Sequence, residues 1–153
     1  MDTENFYTEV KTFEQLSKHE LYELLALRME IFVVEQECVY QDMDFKDQKA
    51  LHILGKKGNK LVAYSRVFNA GDYFKKASIG RVLVRSSFRE HSYGHTILEA
   101  SVTAIYSHFK AQQIVLSAQQ HLKKFYNAHG FKEFGEGYLE DGIPHIKMLK
   151  DQF

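Results

Sequence analysis

The stretch Ile79-Gly-Arg-Val-Leu-Val-Arg-Ser-Ser-Phe-Arg-Glu-His-Ser-Tyr-Gly94 decides how this chain is read. Its first half is crowded with apolar residues, as in a buried strand. A short basic loop opens at Arg89, and a helix starts near Gly94 with Ile97, Leu98, Val102, Ile105 and Phe109 on one face. A strand that delivers a loop onto a helix N-terminus makes an anion site from backbone alone. The first N–H groups of the helix lack internal partners, and the macrodipole puts partial positive charge there. Neither GxxxxGK(S/T) nor GxGxxG is present, which sets aside the nucleotide loops it could be confused with.

Working outward, residues 5–13 alternate loosely through Phe6, Thr8, Val10 and Thr12 and predict a first strand. Ser17-Lys-His-Glu20 matches a capping box ahead of an apolar stripe at Leu21, Leu24, Leu25 and Ile31 with Phe32, and Arg28 violates that stripe. Residues 41–49, with Asp42, Asp44 and Asp47, read as a solvated or substrate-facing acidic loop or short helix. Three strand-like runs follow at 51–55, 61–68 and 77–84. They are joined by the hairpin signals Gly58-Asn59 and Ala70-Gly71-Asp72, so the middle of the sheet is an antiparallel meander. The helix after Gly94 leads into a short strand at 113–117, a crossover that implies parallel pairing. A helix over 121–129 ends at Gly130, and strands at 131–134 and 145–149 close the chain with a turn between them. The expected fold is α/β (α+β): one domain over 1–153, with a mixed, mostly antiparallel sheet and helices on both faces.

Composition narrows the function. With 153 residues, 44% hydrophobic and 26% charged, the chain can bury a sizeable core. Its formal net charge of +0 argues against a nucleic-acid partner. A single cysteine excludes an internal disulfide framework and suits a reducing compartment. The N-terminus is acidic and no run approaches a membrane span, so a soluble cytoplasmic protein is expected. The last two strands offer pairing across a homodimer.

The loop Arg89-Glu-His-Ser-Tyr-Gly94 resembles the (Q/R)-x-x-G-x-(G/A) pyrophosphate loop of the GCN5-related N-acetyltransferases, with Ser92 where the first glycine is usual. The order of elements, with this loop after the fourth strand, is similar to that fold across essentially the whole chain. Several segments resemble the ElaA-like branch: Leu27-Arg-Met-Glu-Ile-Phe-Val-Val-Glu-Gln36, Tyr40-Gln-Asp-Met-Asp-Phe-Lys-Asp47, Ala63-Tyr-Ser-Arg66, Ala118-Gln-Gln-His-Leu122 and Asp141-Gly-Ile-Pro-His-Ile146. The resemblance implies an acetyl-CoA co-substrate and an amine acceptor on a small molecule or peptide. It places Arg89, Glu90, His91, Ser92, Tyr93, Gly94 and His95 on the pyrophosphate, Leu83 and Val84 beside the pantetheine arm, and Gln120 with the cofactor set. Tyr126, in Phe125-Tyr-Asn-Ala-His-Gly-Phe131, matches the family's Y-x-x-x-G-F segment, where the tyrosine lies beside the sulfur. On its own, such a tyrosine also reads as packing on an amphipathic helix.

Acyl transfer to an amine needs a held cofactor, an uncharged nucleophile and a protonated leaving thiolate. A lysine-like amine has a pKa of roughly 10.4, so at neutral pH only about one molecule in a thousand is nucleophilic. A carboxylate or histidine that takes its proton answers this. Glu35, near the end of the first helix and opposed to its dipole, is the candidate base or amine anchor, or else a solvated acid. Gln36 is read as a polar substrate contact. His52 and Arg66 interrupt apolar strands: His52 is a base or a satisfied core residue, and Arg66 either meets a substrate carboxylate or pairs with Asp44 or Asp47. Asp44 joins the substrate set from the acidic loop. Arg28 reads as part of a structural network. His91 and His95 share the i, i+4 spacing of a metal pair, but no other metal signature accompanies them and no metal is expected. Cys38 is not needed as a nucleophile, because the amine attacks directly. The competing reading is a domain of the same fold that binds acyl-CoA without turnover.

Overall fold

The computed structural model describes residues 5–151. Seven strands form one sheet: β1 (Phe6–Thr12), β2 (Leu51–Lys57), β3 (Lys60–Phe68), β4 (Ala77–Val84), β5 (Gln113–Gln119), β6 (Lys132–Glu140) and β7 (Ile143–Asp151). Their order is β1-β2-β3-β4-β5-β7-β6. All neighbours are antiparallel except β4 and β5. The mixed α/β class and the antiparallel meander expected from the hairpin signals are both present.

Three helices flank the sheet: α1 (Lys18–Arg28), α2 (Tyr93–Phe109) and α3 (Lys123–Asn127). The capping box at the start of α1 forms, with Glu20 N–H donating to Ser17 Oγ at 3.0 Å and Ser17 N–H to Glu20 Oε1 at 2.8 Å. Leu24, Leu27 and Ile31 pack with Leu54, Leu61, Tyr64 and Leu83 on one face of the sheet. Ile97, Leu98 and Ile105 of α2 pack with Ile53, Val67, Ile114 and Met148 on the other. Burial on both faces explains why β3 reads as a nearly unbroken apolar run rather than an alternating one. No described helix is long and apolar enough to cross a membrane.

Three local expectations change. After Arg28 the first helix widens into a π-helical segment, Met29–Glu35, which the apolar periodicity did not reveal. Such wide turns shift the register of the exposed side chains and recur at functional sites. The helix expected over 121–129 is a 3-10 turn, Gln120–Leu122, followed by the short α3; Gly130 does end it, with φ +86°. The last two strands run longer than expected, through a two-residue turn in which Asp141 and Gly142 both have positive φ. Of these two strands only β6 lies at an edge, because β7 is paired on both sides.

Candidate active site

The site originates in a failure of pairing. Parallel β4 and β5 share register only at Ala77↔Ile114 and Ser78↔Val115, then part. On its other side β4 carries a bulge: Tyr64 opposes Leu83 and Arg66 opposes Gly80, so one extra residue is accommodated, and Arg81 takes φ +53° there. The Arg81 side chain pins the bulge by donating from Nε to Asp42 Oδ1 at 2.7 Å and from Nη2 to the Asp42 carbonyl at 3.1 Å. Between the parted strands opens a cavity of ≈ 440 Å³. Gly80 to Val84 form one wall and Leu116, Ser117 and Gln119 of β5 form the other.

One end of the cavity reaches Gly94 and Arg89. Ser92 caps α2 with φ 59° and ψ 23°, the left-handed conformation that explains why glycine is usual at this point of the loop. No side chain among the described residues caps this helix; His95 N–H turns onto the Ser92 carbonyl at 3.1 Å, which leaves the N–H groups that precede it in the first turn for an anion. Arg89 donates from Nε to the Val84 carbonyl at 3.0 Å and from Nη2 to Glu35 at 2.8 Å.

Of the residues expected to hold the cofactor, Leu83, Val84, Arg89 and Gly94 line the cavity. Glu90, His91, Ser92, Tyr93 and His95 shape the loop and the first turn of α2 rather than the cavity wall. Tyr93 stacks on Phe6 at 4.0 Å, and His95 Nδ1 lies 2.8 Å from His129 Nε2. His91 instead stacks on Tyr93, so the two loop histidines do not converge. Gln120, also expected with the cofactor, donates its amide to the His145 carbonyl at 3.2 Å and fills the space beside Gly137, while its neighbours Gln119, His121 and Leu122 line the cavity.

Tyr126 lines the cavity and is 7% exposed. Burial pushes its hydroxyl up to about 12, so it holds its proton throughout the neutral range. Glu35 also lines the cavity, and in this arrangement its carboxylate accepts from Arg89 Nη2 at 2.8 Å. Gln36 lines the cavity with its Oε1 accepting from Gln119 at 3.3 Å.

The remaining substrate candidates are committed elsewhere. His52 is fully buried, with Nδ1 at 2.6 Å from the Tyr64 hydroxyl and Nε2 at 2.9 Å from the Asp47 carbonyl; burial lowers its pKa and keeps it neutral. Both ring nitrogens are used, so it is the satisfied core histidine. Arg66 borders the cavity, yet Nη1 and Nη2 donate to Asp47 and Asp44. Burial would raise Asp44, but the Arg66 hydrogen bond and charge prevail and hold it at about 2. Arg28 completes the cluster by donating to Asp42 at 2.8 Å and Asp47 at 2.7 Å. The three aspartates of the loop are thus turned onto three arginines, while Gln41, Met43, Phe45, Lys46, Gln48 and Lys49 around them stay exposed.

The sequence reading missed Arg81 and His145. Arg81 left a signal, a charge inside an otherwise apolar strand. His145 left only its place in the segment after Gly142, because the contact that matters comes from across the β6–β7 hairpin.

The chain matches the family described as an acetyltransferase (GNAT) domain over residues 7–152. It is 41% identical over 139 residues to protein ElaA of Escherichia coli, covering 90% of this chain and 91% of that one. The crystal structure of Escherichia coli ElaA superposes with a TM-score of 0.90 at 38% identity, covering 96% of this chain and 100% of the other. An acyl-CoA N-acyltransferase from Pseudomonas aeruginosa superposes with a TM-score of 0.88 at 36% identity, covering 95% and 99%. The chain is therefore alike to these proteins in sequence as well as in shape, and it belongs to the GNAT acyltransferase family, whose fold supports acyl transfer from acyl-CoA.

Proposed function

We propose that this protein transfers the acetyl group of acetyl-CoA to a primary amine of a small molecule or peptide, by direct attack within a ternary complex. The observation that carries this reading is the parting of β4 from β5 after Ser78, with the N-terminus of α2 reaching the gap at Gly94 and Tyr126 on its lining. The unpaired edge of β4 offers backbone N–H and C=O groups to the two amides of a pantetheine arm, as an added strand would meet a sheet edge. Arg89 and the first N–H groups of α2 would hold the pyrophosphate. A bulged backbone turned out of the ladder at Arg81 and Val82 supplies N–H groups that can polarise a thioester carbonyl. Tyr126, kept protonated by burial, would give its proton to the leaving thiolate.

The acceptor amine would be met by Tyr40, Glu140, Asp141 and His145, which line the same cavity. A domain that only bound acyl-CoA would have no use for a proton donor buried in the gap, which favours turnover over sensing.

Calorimetric titration with acetyl-CoA tests the reading. The parent is expected to bind with a Kd on the order of 1–100 μM. A variant carrying Arg89→Ala and Ser92→Asp, which removes a cation and sets a carboxylate against the phosphates, is expected to lose at least about tenfold. No binding by the parent would overturn both the enzyme and the sensor readings.

A further inference from the structure

Acyl transfer to an ammonium needs a base, and Glu35 is engaged by Arg89. His145 answers the need. It stands on β7 between Gln119 of β5 and Tyr138 of β6, is 6% exposed and lines the cavity. Its Nδ1 lies 2.7 Å from the Ile143 carbonyl. A carbonyl can only accept, so Nδ1 carries the proton and the lone pair of the neutral ring resides on Nε2. Nε2 makes no hydrogen bond among the described residues and stands 3.4 Å from the Glu140 carboxylate, itself on the cavity wall. The ring is clamped further by stacking on Tyr138 at 6.1 Å and by Gln120, which donates to the His145 carbonyl. A histidine with its tautomer set by one nitrogen, a carboxylate beside the other and a cavity in front is arranged as a proton acceptor.

We infer that His145 is a catalytic residue, the general base that deprotonates the acceptor ammonium, with Glu140 stabilising the imidazolium that forms. This rests on the acyl-CoA reading above. The first nitrogen proton passes to His145 Nε2 and from there to water. The freed nitrogen lone pair forms the C–N bond at the thioester carbon. The oxyanion then collapses, the C–S bond breaks, and sulfur takes the Tyr126 proton. The second nitrogen proton, acidic once nitrogen is bonded to that carbon, restores Tyr126. One proton is released overall. The groups that set the charge around the ring are Glu140, Asp141 and Tyr138 on β6 and its turn, and Lys147 on β7, whose ammonium sits over Phe74 at 4.1 Å. Cys38 closes the same corner, its thiol donating to the Asp141 carbonyl at 3.2 Å.

His145→Asn separates base from scaffold, because its amide N–H can still donate to Ile143 while the Nε2 lone pair is gone. Propylamine, a cation at neutral pH, and hydroxylamine, largely uncharged there, serve as probe acceptors with acetyl-CoA, and CoA thiol is followed. Thiol release with propylamine is expected to fall by about 10²–10⁴-fold and to lose the rising limb of its pH profile. Release with hydroxylamine should fall less than about tenfold, since that nucleophile needs no base. Acetyl-CoA affinity should stay within about twofold. Glu140→Gln, which keeps the histidine but removes the charge that would stabilise the imidazolium, should slow propylamine turnover by about tenfold and leave hydroxylamine turnover within about threefold, a readout that survives even if His145→Asn folds poorly. Propylamine activity in His145→Asn within about threefold of the parent overturns the inference, as does a Glu140→Gln variant whose propylamine turnover is unchanged. So does a parent that binds acetyl-CoA but releases thiol with neither probe. Failure of the parent to bind acetyl-CoA instead removes the acyl-CoA reading itself.

Discussion

Two sets of buried polar side chains lie close together in this molecule and behave in opposite ways. In the first, Arg28, Arg66 and Arg81 interlock with Asp42, Asp44 and Asp47, and apart from Arg66 Nε every buried donor and acceptor in the cluster is met. In the second, Tyr126 and His145 are 7% and 6% exposed and line the cavity, yet the Tyr126 hydroxyl makes no hydrogen bond among the described residues and His145 Nε2 meets only the Glu140 carboxylate, at 3.4 Å. Buried polar atoms in folded proteins are nearly always paired. Burial by itself therefore does not separate the two sets; they differ in how much hydrogen-bonding capacity they leave over. The arginine–aspartate cluster ties the 42–47 loop to β3 and β4 and holds the bulge in shape, and the second set is the one proposed for chemistry.

The contrast can be broken from either side. The largest effect is expected from Arg28→Met, which leaves Asp42 and Asp47 short of their fully buried partner. Urea unfolding should show a loss of about 3–5 kcal/mol, and a loss below about 1 kcal/mol would mean that Arg66 and Arg81 neutralise the cluster alone. Tyr126→Phe should do the reverse. The hydroxyl makes no hydrogen bond among the described residues, so the thermal midpoint should hardly move. The rate of thiol release should fall by about 10²-fold or more at unchanged acetyl-CoA affinity, and a fall of less than about threefold would remove Tyr126 from the reaction.

A smaller, graded effect is expected from pH. His52 is held neutral in the folded chain but protonates near its ordinary value of 6.5 when unfolded, so the unfolded state binds more protons and stability slips as pH drops below 6.5. Asp44 and Asp47 have depressed folded values, about 2 for Asp44, against an ordinary 3.8. Their contribution is complete above the ordinary value and is lost as pH falls from about 4 toward about 2. Thermal midpoints across this range should show a shallow decline followed by a steep one. Asp44→Asn should flatten the steep part and leave the shallow one, and an unaltered steep decline in that variant would show that the cluster does not govern acid unfolding.

Much of this was legible in the linear chain. The Ser17–Glu20 capping box, the left-handed turns at Gly58 and Gly130, the apolar stripe of α2 and the loop at Arg89 are local features, set by dihedral preferences and residue spacing over a few positions. They suffice for the element order and for the loop that leads onto α2. The place of Tyr126 in the candidate site was reachable too, through the short segment that ends at Gly130. The surroundings of the other candidates were not. Whether Asp42, Asp44 and Asp47 face solvent, substrate or arginine depends on side chains 14 to 39 residues away. Glu35 looked like a free carboxylate until Arg89, 54 residues on, was found against it.

By itself, then, the sequence determined the elements, their order and the anion-binding loop, because those follow from interactions between near neighbours along the chain. Only the tertiary structure decided which buried polar groups are spent and which are left for chemistry. Hydrogen-bond capacity is exhausted or preserved by partners that the fold brings in from distant strands, and no local pattern records who those partners are.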